Sequence, residues 1–191
     1  MPVLLGAIIS SNQQARADTG AMFPIFATTV TSTAASITFS NIPSTYTHLQ
    51  LRITSKSNNN NSNDLGGINT IFNSDSTSSY SHHYMYGNGA GASQIFVAGS
   101  SSGTNFVMGF VNSNNYNRSN FATNLIDILD YKNTNKFKTV KVLGGNDGNG
   151  AGFGWVTSGS YQKTDAINSI TMTPWSGSFM QYSSFALYGL K

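Results

Sequence analysis

The adjacent pair His82-His83 is the first feature of this chain that invites a chemical reading. Imidazole nitrogens bind transition metals, and Tyr84 or Asp75 would supply a further donor. Strand geometry works against a shared ion, because successive side chains point to opposite faces. No established ligand spacing is matched either. One packed histidine and one exposed histidine are expected, with no metal and no cofactor.

Asp127 and Asp130 are the next suspects, as the only close pair of acids on a plausible core element. Their odd separation puts them on opposite faces of a strand, which spoils a two-carboxylate acid–base arrangement. They are expected to pair with nearby lysines instead. Residues 144–150 (GGNDGNG) offer oxygen ligands and sharp turns, as calcium loops do. They lack the run of carboxylates and the closing glutamate that tighten calcium binding. They also lack the Gly-Lys-Ser or Gly-Lys-Thr ending of a phosphate loop. No serine pairs with His48 at a recognisable spacing. An enzyme is therefore not expected.

Ionisable groups are scarce throughout. Among 191 residues, cysteine and glutamate are absent and charged residues make up 9%, so the net charge of +3 reflects few acids rather than many bases. Lys132, Lys136, Lys138 and Lys141 form the one basic cluster, offset by Asp127 and Asp130. A groove that neutralises many phosphates needs a denser field, so no nucleic-acid partner is expected. Absence of cysteine excludes disulfides, thiol catalysis and cysteine-ligated zinc. No stretch approaches the roughly 18 apolar residues of a membrane span.

Chemistry being unsupported, the elements carry the information. Leu49, Leu51 and Ile53 alternate with Gln50, Arg52 and Thr54, the clearest period-two signal in the chain. Ile68, Thr70 and Phe72 repeat it, as do Phe106, Met108 and Phe110. Residues 125–131 are ambiguous, because Phe121, Ala122, Leu125, Ile126 and Leu129 also fit one helical face. Asn133-Thr134-Asn135 then makes a hairpin turn into residues 137–143, which favours a strand, with a short helix before the hairpin as the alternative. Asn-, Ser- and Gly-rich stretches at 57–64, 73–79, 87–92, 100–103 and 144–152 read as loops. Roughly ten to twelve strands with turn signals every 8–15 residues predict an all-β fold, an antiparallel, jelly-roll-like β-sandwich over residues 24–191.

Residues 1–23 are expected to form an extended docking arm, with Val3, Leu4, Leu5, Ile8 and Ile9 as its apolar contacts. No base precedes that run, which argues against a secretory signal. On the domain itself, Tyr80, Tyr84, Tyr86, Tyr116, Trp155, Tyr161 and Trp175 combine an apolar body with a polar handle. Tyr84, Tyr86, Tyr116 and Trp155 are the candidate ligand-facing members, suited to sugars or protein interfaces.

Four segments together carry a resemblance: residues 37–53 (ITFSNIPSTYTHLQLRI), 72–89 (FNSDSTSSYSHHYMYGNG), 126–145 (IDILDYKNTNKFKTVKVLGG) and 166–191 (AINSITMTPWSGSFMQYSSFALYGLK). The chain resembles a family of small, mostly uncharacterised proteins of tailed phages of aquatic bacteria, cyanophages among them. The closing Ser-Phe-Ala-Leu-Tyr-Gly-Leu-Lys is the most specific part, and the opening Met-Pro-Val-Leu-Leu-Gly is also similar. The resemblance implies a virion component, either capsid decoration or tail fibre, with other virion proteins as partners and no catalytic residues. A homo-oligomer is implied, a trimer foremost, because virion appendages sit on symmetry axes. The alternative is an adhesin module that binds glycans on the host surface.

Overall fold

The computed structural model describes residues 21–60, 65–88, 95–114, 120–148 and 152–191. Within them lie fourteen strands and no helix. They are β1 (Met22–Thr29), β2 (Thr33–Ala34), β3 (Ile37–Phe39), β4 (His48–Ser55), β5 (Leu65–Phe72), β6 (Tyr80–Gly87), β7 (Ile95–Gly103), β8 (Phe106–Asn112), β9 (Ala122–Leu129), β10 (Lys138–Asp147), β11 (Gly152–Tyr161), β12 (Ile170–Pro174), β13 (Phe179–Met180) and β14 (Ser184–Leu190). Eight form one sheet in the order β1-β14-β4-β9-β10-β11-β6-β7, and four form a second in the order β3-β12-β5-β8. A short β13-β2 ribbon stands apart. All the ladders between strands are antiparallel, and the two sheets pack as a sandwich.

The core follows from period two. Leu49, Leu51 and Ile53 on β4, Ile126 and Ile128 on β9, Val140 and Val142 on β10, and Phe185 and Leu187 on β14 all point inward. Ile68, Phe72, Phe106, Ile170 and Met172 meet them from the smaller sheet. Each such side chain contributes about 1.5–3 kcal/mol relative to leaving it in water.

Several expectations are revised. Strand β1 begins at Met22, paired with Leu190, so the sheet claims two residues assigned to the arm. Residues 100–103 belong to β7 and residues 144–147 to β10, not to loops. There the backbone bonds of the neighbouring strands outweigh the weak local preference of Gly and Ser. On β8 the alternation is absent, since all seven residues are buried and Gly109 adopts a φ of 96°. Residues 125–129 are strand, as the hairpin turn implied. Met1 to Gly20, including Val3, Leu4, Leu5, Ile8 and Ile9, lie outside the described residues, as does Tyr116.

Candidate functional site

The residues first singled out for chemistry do not converge. His82 is buried and His83 exposed, on opposite faces of β6 as strand geometry requires. Burial, and after it the neighbouring His83, lowers the His82 pKa below the usual 6.5. Asp127 accepts a hydrogen bond from Gln50 Nε2 at 3.0 Å on the outer face of the large sheet. Asp130 lies past the end of β9 at a φ of 51° and pairs with Lys136 Nζ at 2.5 Å. That ammonium, with His48 beyond it, holds the carboxyl below its ordinary value despite some desolvation. Among the described residues no three histidines or acids stand close enough to hold a metal.

Gly99-Ser100-Ser101-Ser102-Gly103 has the spacing of a nucleophile elbow, a match not recognised in the sequence. Its structural context is wrong, because it lies along an edge strand paired with β6 and not at a strand-to-helix turn. Asn146 and Asp147 are likewise strand residues, and Asn146 Oδ1 accepts the Phe153 amide at 2.7 Å.

The aromatic residues do converge. Phe110 of the small sheet receives Tyr84, Tyr86, Trp155 and Trp175 around its ring, at centroid separations of 5.2, 5.6, 5.4 and 6.2 Å. Tyr86 stacks on Phe96 at 4.9 Å, carrying the group out to the sandwich edge. Tyr84 and Tyr86 are half-buried, whereas Phe96 and Trp175 are half-exposed. Trp175 is fixed in place: its indole donates to Asn69 Oδ1 at 2.8 Å and lies where a Cβ on Gly67 would stand. Trp155 differs from its expected role. It is buried, donating to Asn124 Oδ1 at 2.9 Å, because Gly144 leaves room for its ring over the sheet. Trp155 therefore packs the core, and Phe96 and Trp175 are the members that face solvent.

A second surface was invisible in the sequence. On the outer face of the large sheet, ladder partners line up as Val97 (β7), Met85 (β6), Val156 (β11), Leu143 (β10) and Leu125 (β9). Their exposures are 69, 51, 42, 56 and 38%, so none is covered. Four inter-strand steps make this an apolar row ~19 Å long. One side of it is a glycine row, Gly87, Gly154 and Gly145, and the other side is polar, His83, Ser158, Lys141 and Asp127. Where the row ends, Leu125, Leu143, Arg52, Thr54, Thr123 and Ala186 line a shallow depression of about 460 Å³.

No protein-family model matches the chain, and no curated protein matches it either.

Proposed function

We propose that this chain is an accessory structural protein of a tailed-phage virion, a homo-oligomeric β-sandwich displayed on the particle and docked against other virion proteins. The observation that carries the proposal is the apolar row Val97, Met85, Val156, Leu143 and Leu125. Contiguous exposed apolar patches rimmed by polar residues commonly mark interaction surfaces. The resemblance of residues 37–53, 72–89, 126–145 and 166–191 to phage proteins indicates where such a partner would be found. Low charge and absence of cysteine suit a domain that persists outside a cell.

The test is incorporation. Mass spectrometry of purified particles should detect the chain, and particles assembled with Leu143→Asp and Val156→Asp together should carry at least tenfold less of it. Both changes are on the surface, so circular dichroism should remain that of the native fold. Particles lacking the native chain, or carrying the double variant at native copy number, would reject the proposal.

A second reading is supported by the solvent-facing aromatics. Phe96 and Trp175, backed by Tyr86 and Phe110, present π-faces at one edge, as sugar-binding surfaces do. Under it, an array of bacterial surface glycans captures the native domain, and Trp175→Ala abolishes capture.

A further inference from the structure

The two edges of the large sheet are built differently. Strand β1 carries Pro24, and its ladder is broken by a register shift between Pro24 and Phe26. Both devices discourage pairing with another chain. Strand β7 has neither at its apolar end. It runs for nine residues, Ile95–Gly103, with no proline and no charged side chain. Its one irregularity lies at the far end, opposite Tyr80 and His82. Ile95, Phe96 and Val97 are consecutive and all exposed, so neither face of the sheet is covered there. Among the described residues β7 is the last strand of its sheet. Natural sheets seldom leave a long, uncharged, apolar edge unpartnered.

We infer that β7 pairs antiparallel with β7 of a second copy of this chain, with Val97 on the two-fold axis. The occupant is a second copy because the strand is complementary to itself in that register. Ile95 then meets Gly99 of the partner copy on the outer face, and Phe96 meets its Ala98 on the inner face. Each large side chain is thus opposite a small one. The apolar row ends at Val97, so the pairing joins two rows into one continuous stripe. Head-to-tail pairing of β7 with β1 would instead build an open filament or ring, and Pro24 on β1 opposes it. The symmetry is two-fold, in place of the trimer favoured by placement on a virion axis. The inference does not rest on the virion proposal, since either can fail alone.

The chain has no cysteine, so Val97→Cys introduces a single thiol. Residues directly opposite in an antiparallel pair lie about 4.5–5.5 Å apart, within disulfide reach. Mild oxidation of purified full-length Val97→Cys should give covalent dimer at least tenfold faster than Thr28→Cys on the β1 edge. Sedimentation of the native chain should show a monomer–dimer equilibrium, and Val97→Lys should raise its dissociation constant at least tenfold. A native chain that stays monomeric at roughly millimolar concentration overturns the inference. So does a dimer that survives Val97→Lys, or a Val97→Cys cross-linking rate equal to that of Thr28→Cys.

Discussion

Asn124 on β9 accepts the indole N–H of Trp155 at 2.9 Å while gripping Phe110 of the opposite sheet through both of its backbone polar groups. The Phe110 amide donates to Oδ1 at 3.1 Å, and Nδ2 returns a bond to the Phe110 carbonyl at 2.9 Å. One buried side chain thus ties two strands of the large sheet to the small one. Gly109, at a φ of 96°, makes the approach possible, since a Cβ there would collide with Asn124. Asn124→Ala leaves two buried donors and one buried acceptor unpartnered. The expected loss is about 3–5 kcal/mol, read as a lower urea midpoint at unchanged slope.

Lys138 is fully buried, although it reads in the sequence as one of a surface cluster of bases. Its ammonium donates to the carbonyls of Asn133 at 2.5 Å and Thr164 at 2.6 Å, with those of Lys136 and Lys163 at 3.3 and 3.4 Å. Burial lowers its pKa, and Asp165 opposes that shift. Lys138→Met keeps the length but strands these carbonyls, costing about 3 kcal/mol in chemical denaturation. Lys132→Met, on an exposed side chain, should change stability by less than about 0.5 kcal/mol.

Which parts of this fold can be read from one dimension follows from what sets each of them. On β4 the alternation of Leu49, Leu51 and Ile53 is legible because one face is covered and the other wet. The β9–β10 hairpin is legible because Asn133 closes it locally, accepting the Asn135 amide at 2.8 Å. The strands at 100–103 and 144–147 are not, because Gly, Ser and Asn carry no local strand signal and the extended backbone there is set by pairing with β6 and with β9 and β11. Asn58 and Asn73 lie in loops, as the sequence suggests, but no local pattern shows that they and Asn69 of β5 accept bonds from Ser178, Asn168 and Trp175, each about a hundred residues away. At the candidate site, Tyr84 and Tyr86 fall on one face by simple alternation. The row from Val97 to Leu125 is a property of register alone, and no local pattern announces it.

His82 sets a test in mild acid. Its ring packs against Phe106 and Tyr84, and among the described residues its Nδ1 has no hydrogen-bond partner. With its folded-state pKa lowered by burial and by His83, the unfolded chain binds the proton more readily below pH 6.5. Stability therefore rises with pH through that window and is lost as pH falls below it. The thermal midpoint should decline between about pH 7 and pH 5. His82→Phe should flatten that decline, while His83→Phe, which removes only the lesser of the two causes, should reduce it in part.

Asp75 governs stability in stronger acid, its pKa shifted in the same direction as that of His82. It sits in the turn after β5, where Tyr80 donates to its backbone carbonyl at 2.8 Å. Its carboxylate accepts the Thr77 amide at 3.0 Å, the Thr77 hydroxyl at 2.6 Å and the Tyr161 phenol at 3.2 Å, and pairs with Lys163 at 2.8 Å. Burial pushes the carboxyl up, but Lys163, Thr77 and Tyr161 together outweigh it and hold the pKa well below the ordinary 3.8. The same surroundings push the Tyr80 phenol up to about 12, chiefly through burial, so it stays a donor across the working range. A depressed carboxylate stabilises the fold above its unfolded pKa, and that contribution disappears as pH falls through the folded value. Asp75→Asn removes the charge at every pH. At pH 6 it should cost about 2 kcal/mol, lowering the midpoint by roughly 4–8 °C. Below about pH 3 the native chain progressively loses the same interaction, so the two midpoints should draw together. A gap that stays constant from pH 6 to pH 2 would show that the Asp75 carboxylate acts through shape and not through charge.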